Sequence, residues 1–349
     1  ISEHKQEVNL SRFGGWSRSW YPYNFKLKAQ KQYEGENYIE YPFFSDNKPY
    51  LKHKVLQVRN GGNDIFSRIK DAALHNIIIS SGFYLDCQDY QSVHCYINGQ
   101  YTGMLNLREP SNKHFGLGNY GIDTDEMDQM ELTSWVDVKT GTSEAFYKWR
   151  DLSYSAADES AYEQIGEIVD IDEFANYMAA QLFLGGDDWP NNNCKAFKGH
   201  DGKFHIVMLD IDQALRFDGT ALTRLSGFRS SPLIGVFFNM LENDKFRKQF
   251  IDAFCIVGGS VFEETRSAEI IDRMSAEMNP ALSLEGLSTS PTADYMKSVI
   301  TQKRCNTMMN ALKNWQYAQL SDADMYQVKF SANIEKAALQ INGQNVPTG

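Results

Sequence analysis

Period-two alternation marks the first hundred residues. Phe25-Lys26-Leu27-Lys28-Ala29 and Val55-Leu56-Gln57-Val58-Arg59 alternate, and Val93–Ile97 meets Tyr101–Leu107 through Asn98-Gly99. Asn-Gly between alternating runs predicts a hairpin, because both residues of the tight turn must accept positive φ. One helix is predicted inside this half, Ile65 to Ser80, with Ile69, Ala72, Ala73, Asn76 and Ile77 at helical spacing. From about residue 122 the period lengthens. Helices are predicted over Thr142–Leu152, Ser160–Val169, Ile171–Leu184, Gly235–Val257, Phe262–Met278 and Ala293–Leu320, with a strand near 203–209 as the main exception. The tail, Gln327–Asn333 through Leu339–Gly343, alternates again and predicts a β hairpin. The pattern reads as an α+β chain with a β-rich N-terminal lobe over 1–121 and a helical C-terminal lobe over 122–324. A β-rich tail over 325–349 either starts a further module or adds an edge to this domain.

Composition narrows the classes. The chain has 349 residues, 42% hydrophobic and 13% aromatic, enough for a substantial core. Its 34 basic and 45 acidic residues give a net charge of −11, which disfavours nucleic acid as a partner, since backbone phosphates demand a basic face. No run of 18 apolar residues predicts a membrane span. The five cysteines form no CxxC pair and the seven histidines no HExxH, which speaks against zinc. Cys87 and Cys95 either face each other across a hairpin or are buried free thiols. The chain opens on Ile1-Ser2-Glu3-His4 without Met and reads as a mature or trimmed chain, which together with the β-reverting tail fits an exported, extracytoplasmic protein whose targeting segment lies outside this chain.

The densest candidate chemistry is Asp187-Asp188-Trp189-Pro190-Asn191-Asn192-Asn193, followed by Leu209-Asp210-Ile211-Asp212. Phosphoryl transfer on ATP needs a carboxylate to orient the attacking hydroxyl, and an amide plus a second carboxylate to hold the bridging metal. Protein kinases set the first carboxylate and the amide five residues apart and bring the second carboxylate on a later strand. Here Asp188 and Asn193 are five apart, and Asp210 follows Asp188 by 22 residues at the end of an apolar run. Asp, Asn and Pro also build ordinary turns. Against that reading, the loop follows a strongly apolar helix and carries three consecutive amides. A β-rich half, then a helical half with the site just past the junction, fits a two-lobed kinase-like layout.

These residues, with several other motifs in order, resemble the spore-coat CotH family of atypical, secretory-type kinases. The shared motifs are Gly14-Gly15-Trp16-Ser17-Arg18, Arg59-Asn60-Gly61-Gly62-Asn63-Asp64, Tyr84-Leu85-Asp86 with Gln88-Asp89-Tyr90, Asn98-Gly99-Gln100-Tyr101-x-Gly103, and Asn106-Leu107-Arg108-Glu109. They span roughly residues 14 to 217. The resemblance implies Asp188 as catalytic base, Asn193 as a metal ligand and Asp210 as the metal-binding carboxylate. Asp212 would be a second carboxylate in the pocket or a structural hydrogen bonder. Lys195 would steady a phosphate, or stand as an ordinary loop lysine. The chain departs from the family where a Pro-x-Lys-Ser lysine is usual, since that position falls on Tyr23. Arg18, Lys26 or Lys28 would then substitute, and Glu109 is the candidate acid by its place after Asn-Leu-Arg.

Two further motifs carry less. Asp123-Thr124-Asp125-Glu126-Met127-Asp128 has the acid density of a calcium loop, but Asp128 and Ser134 stand where an EF-hand needs Gly and Glu. Gly61-Gly62 opens no GxxxxGK[ST] run and reads as a tight turn into the following helix. The expected function is ATP-dependent phosphoryl transfer to a Ser or Thr hydroxyl of a protein substrate, using Mg or Mn. The other class that fits is a cell-surface binding or adhesion module that keeps the fold with weak or no catalysis, as the aromatic content and Tyr23 suggest.

Overall fold

The computed structural model describes residues 4–33, 35–44, 48, 50–333, 337 and 339–346. Among the described residues, seven strands form in the N-terminal half: β1 (Asn9–Arg12), β2 (Phe25–Lys28), β3 (Ile39–Glu40), β4 (Lys52–His53), β5 (Val55–Arg59), β6 (Tyr90–Ile97) and β7 (Gln100–Arg108). Five make one antiparallel sheet in the order β1-β2-β5-β7-β6, while β3 and β4 pair separately. The β6–β7 hairpin turns at Asn98 and Gly99, both at positive φ, as the Asn-Gly signal requires. Phe25, Leu56, Val58, Leu105 and Leu107 form the small core of this sheet. The fold class is α+β, as the periodicities predict.

Helix α1 (Lys70–Ser81) starts five residues later than its apolar spacing suggests. Residues 62–64 make a short 3-10 turn instead, and the Asp64 carboxylate accepts the backbone N–H of Ile69 and of Lys70, both at 2.8 Å. That satisfies two of the orphan donors of the helix start. Ile69, Leu74, Ile77 and Ile78 then join the large core of the helical half rather than the sheet core.

That helical half contains α2 (Phe115–Tyr120), α3 (Glu144–Ser153), α4 (Glu159–Gly166), α5 (Ile171–Leu184), α6 (Thr220–Leu225), α7 (Pro232–Met240), α8 (Asp244–Ile256), α9 (Glu264–Ser283), α10 (Ser290–Val299) and α11 (Gln302–Asn314). Two predicted helices are each two. Asn243 ends one and caps the next, accepting from Lys245 and Phe246, and Thr301 caps α11 by accepting from Arg304. The half also holds more strand than its periodicity predicts: β8 (Gln129–Leu132), β9 (Val136–Thr140), β10 (Lys195–Lys198) and β11 (Phe204–Val207) form a sheet in the order β11-β10-β8-β9. Strands of four or five residues are too short for alternation to stand out.

Helix α5 is buried along almost its whole length, so its apolar residues face packing partners on all sides. Phe174 stacks on Phe246 at 5.7 Å and meets Trp149 edge-on at 5.1 Å. Each such fully buried aromatic contributes about 1.5–3 kcal/mol through area removed from water. Near the C-terminus, β12 (Leu339–Ile341) and β13 (Gln344–Val346) form a hairpin on α8, where Gln344 donates to the Gln249 carbonyl. Residues 327–333 form no strand, in contrast to the alternation of their sequence. Cys87 and Cys95 are both free. Among the described residues, no helix is long and apolar enough to cross a membrane.

Candidate active site

The buried helix α5 delivers the Asp-Asn loop. It ends at Gly185, φ +56, where a Cβ would lie 2.2 Å from the Phe217 carbonyl oxygen, so only glycine turns the chain here. Trp189 is buried and its indole N–H donates to the Tyr177 hydroxyl at 2.9 Å, pinning the loop to α5. The Asn192 N–H closes a turn onto the Asp188 carbonyl at 2.9 Å. Asn193 follows at φ +60, and its side-chain amide donates both to Asp188 Oδ2 and to the Asp210 carbonyl, each at 3.3 Å. Asp210, past the end of β11, also has positive φ, +48. Two non-glycine residues held in the left-handed region at one point mark a backbone shaped for side-chain placement.

Electrostatics sharpen the site. Burial, then the neighbouring carboxylates of Asp210 and Asp187, push Asp188 up to about 6, opposed by the Asn193 hydrogen bond. A carboxylate poised there is ionised at neutral pH yet basic enough to take a proton. Asp210 keeps 34% side-chain exposure, and its Oδ1 accepts from Arg59 Nη2 at 2.6 Å. Arg59 ends β5, third in the sheet row, and its guanidinium also lies 3.7 Å from Asp71 in the first turn of α1. Burial works against its charge, but Asp210, Asp71 and Asp212 outweigh it and hold the guanidinium protonated. Asp71 is fixed in turn by Arg108 at 2.6 Å, and its other oxygen accepts the Ile211 N–H at 2.8 Å. A cation at the end of a sheet strand thus faces a carboxylate on the helix that follows it.

The residues singled out from sequence fall into three groups. Asp188, Asn193 and Asp210 come together. Asp212 sits directly behind them, buried, with its Oδ2 accepting the Asn63 N–H at 3.0 Å and its Oδ1 the Asn63 amide at 3.2 Å. Its carboxylate thus latches the Gly61-Gly62-Asn63 turn to the site, and burial and Asp210 push it up to about 7. Arg18, Lys26 and Lys195 form a second group. Lys26 lies opposite Gln57 in the β2–β5 register, two residues before Arg59 on the same face of the sheet. Burial, then Lys195 and Arg18, lower its pKa, so the three cations share one region. Lys195 is tied to Glu131 at 3.2 Å and donates to the Ser111 carbonyl. Tyr23 is covered by the Arg12 guanidinium, 3.4 Å above its ring. Glu109 stands apart: it is buried against Lys48 at 3.0 Å and accepts the Asp89 N–H and the Asn119 amide.

Arg59, Asp71 and Asn63 belong to the site as well, although the sequence gives none of them a role there. The signal was in the chain, since Arg59 closes an alternating run and Asp71 opens the next helix, but their contact depends on which sheet face looks at the helix. A further cluster lies at the other end of α5. Ligand atoms of Asp86, Glu173 and His205 lie within 4.8 Å of one another. They already satisfy each other: Glu173 takes the His205 ring N–H at 2.7 Å and the Asp86 N–H at 2.9 Å, and Tyr120 donates to Asp86.

An α+β molecule whose strand cation, helix carboxylate, loop carboxylate–amide pair and strand-end carboxylate meet between sheet and helices has the layout of a kinase-like protein. The family model described as CotH kinase protein matches residues 10–319, and the chain belongs to that family. No curated protein matches it.

Proposed function

We propose that the chain transfers the γ-phosphoryl group of ATP to a Ser or Thr hydroxyl of a protein substrate. The observation that carries this reading is the convergence of Asp188, Asn193 and Asp210 through the two Asn193 hydrogen bonds. The donor set suits a hard divalent ion. Asp210 keeps a second carboxylate oxygen with no hydrogen bond among the described residues, and Asn193, donating through its nitrogen, keeps its amide oxygen. Oxygen ligands of this kind favour magnesium or manganese over softer metals. When bound, the ion would neutralise charge on the phosphate oxygens.

The chain's own residues account for the remaining tasks. Asp188 accepts the acceptor's proton as its oxygen bonds to phosphorus and the bond to the departing ADP oxygen breaks. Arg59 turns one nitrogen from Asp210 towards the phosphates while the other stays by Asp71, and Arg18, Lys26 and Lys195 supply further cations. Metal-dependent ATP binding, measured by calorimetric titration with magnesium and then manganese, is expected for the wild type and lost in Asp210→Ala.

A second reading has its own support. Trp16 is 89% exposed, and Trp20 and Tyr21 accompany it on the loop between β1 and β2. Exposed aromatics of this kind serve recognition, and Arg59 already neutralises Asp210 directly. Absence of ATP binding with either metal would favour a binding module that retains the fold.

A further inference from the structure

Arg304 is the third residue of α11 and only 7% exposed. The Thr301 cap sets its backbone, accepting the Arg304 N–H on its hydroxyl at 3.2 Å. Among the described residues its Nε has no hydrogen-bond partner, and the guanidinium spends itself on backbone carbonyls. Nη2 donates to Phe183 at 2.7 Å, to Phe217 at 2.8 Å and to Leu184 at 3.4 Å. Phe183 and Leu184 end α5, so the cation sits where the helix dipole is negative and the last carbonyls need donors from outside the helix. A helix cap alone does not require the bond to Phe217, which belongs to a different segment.

That segment is the return of the chain past Asp210 and Asp212. It lies along the end of α5, with Leu215 N–H on the Leu184 carbonyl at 2.6 Å, and Arg216 and Phe217 N–H on the Gly185 carbonyl at 3.1 and 3.0 Å. Asp187 N–H then reaches the Gln213 carbonyl at 3.3 Å. One of these two backbones leads directly into Asp188, and the other comes directly from Asp210. The Asn193 amide joins them again in front, through Asp188 Oδ2 and the Asp210 carbonyl. Tyr295 holds only the return, through the Leu215 carbonyl at 2.8 Å, and Arg224 only the loop, through the Gly186 and Asp187 carbonyls at 3.4 and 3.1 Å. Of these three side chains Arg304 alone bonds to both backbones. We propose that Arg304 is a positioning residue for phosphoryl transfer: fastening both backbones from behind, it sets the separation of Asn193 and Asp210 and thereby which ion they accept. This rests on the phosphoryl-transfer reading above. Magnesium demands near-ideal octahedral geometry with oxygens at about 2.0–2.1 Å, whereas calcium tolerates variable geometry at about 2.3–2.6 Å. Loosening the rear fastening therefore costs magnesium more than calcium.

The test titrates ATP calorimetrically, with magnesium and with calcium, into the full chain and its Arg304→Gln and Arg304→Lys variants, each checked for its fold by circular dichroism. Arg304→Gln is expected to lose about tenfold in ATP affinity with magnesium, the usual cost of removing a group that orients metal ligands, and clearly less with calcium. Arg304→Lys keeps the charge on a shorter reach, so its loss should be smaller with the same preference for calcium. A residue that only stabilises the fold would cost both ions alike, so losses equal for the two ions, or absent, would overturn the proposal. Should Arg304→Gln not fold, Arg304→Lys decides by the same criterion. Amide exchange gives a readout that needs no nucleotide. The Asn192 N–H, which closes the loop onto the Asp188 carbonyl, should exchange faster in either variant, and unchanged exchange there would overturn the proposal. Failure of the wild type to bind ATP with either ion, with faster exchange at Asn192 in the variants, would leave Arg304 holding the loop and count against phosphoryl transfer alone.

Discussion

At the scale of single residues, the site separates binding from chemistry. Among the described residues Asp188 touches the amide of Asn193 but no cation, so Asp188→Asn removes a proton acceptor without disturbing Arg59 or Asp210. Such a variant is expected to keep ATP affinity within about twofold and to lose turnover by about 10²–10⁴, the usual worth of a positioned base. Binding by calorimetry and transfer by radiolabelled ATP would read the two effects separately, and full turnover would remove Asp188 from its role. This triad was legible in the sequence because its members sit on one loop and one following strand, so their spacing along the chain reflects their spacing in space. Arg59 and Asp71 were not legible in the same way, since they meet only when β5 and α1 pack. Glu109 stands out in the sequence by its place in a motif, and the fold spends that carboxylate on Lys48.

Elements carry the next level of constraint, and the turn between β5 and α1 is tightly enclosed. Gly62 has φ +60, and a Cβ there would lie 2.2 Å from Asp212 Oδ2. Gly62→Ala is therefore expected to cost about 1–3 kcal/mol of stability and to dislodge Asp212 from Asn63, seen as a lowered denaturant midpoint with an unchanged slope. Helix limits were the least legible part of the chain: apolar spacing ran through Asn243 and Thr301, whose capping hydrogen bonds break each long helix in two. Where α5 meets β11, a buried pair links stability to pH. Burial pushes Glu173 up to about 8, and Glu173 and Asp86, outweighing burial, push His205 up to about 9. Whichever partner holds it, the folded pair keeps one proton that an unfolded histidine releases near its ordinary value of 6.5. The stability so contributed is fully present below 6.5 and is lost as pH rises towards 8–9, where the folded pair deprotonates. Urea denaturation between pH 6.5 and 9 should show this decline, and His205→Gln should flatten it.

Over the whole molecule, what matters is how the sheet half is held against the helical half, because the candidate site takes residues from both. The core of the sheet is small, whereas α1 is embedded in the large helical core. Joining them is Arg68, between the Gly61-Gly62 turn and α1, buried and bound through two nitrogens to Glu285 at 2.9 and 2.8 Å. Glu285 follows α9, and its Oε1 also accepts the Met104 N–H of β7 at 2.7 Å, while Arg68 donates to the Met104 carbonyl. One carboxylate from the helical half thus holds both a strand of the sheet and the segment that leads into α1. Removing it strands a guanidinium that is only 1% exposed, and breaking a buried pair from one side costs about 3–5 kcal/mol. Glu285→Ala should therefore melt far below the wild type and speed hydrogen exchange at the Met104 amide, while Glu285→Gln, keeping one acceptor, should fall between them. If the sheet were held to the helices by core packing alone, Glu285→Ala would melt with the wild type and Met104 would stay protected. The same variant should weaken ATP binding without touching any residue of the site, because Arg59 meets Asp71 and Asp210 only while the sheet is seated on the helices.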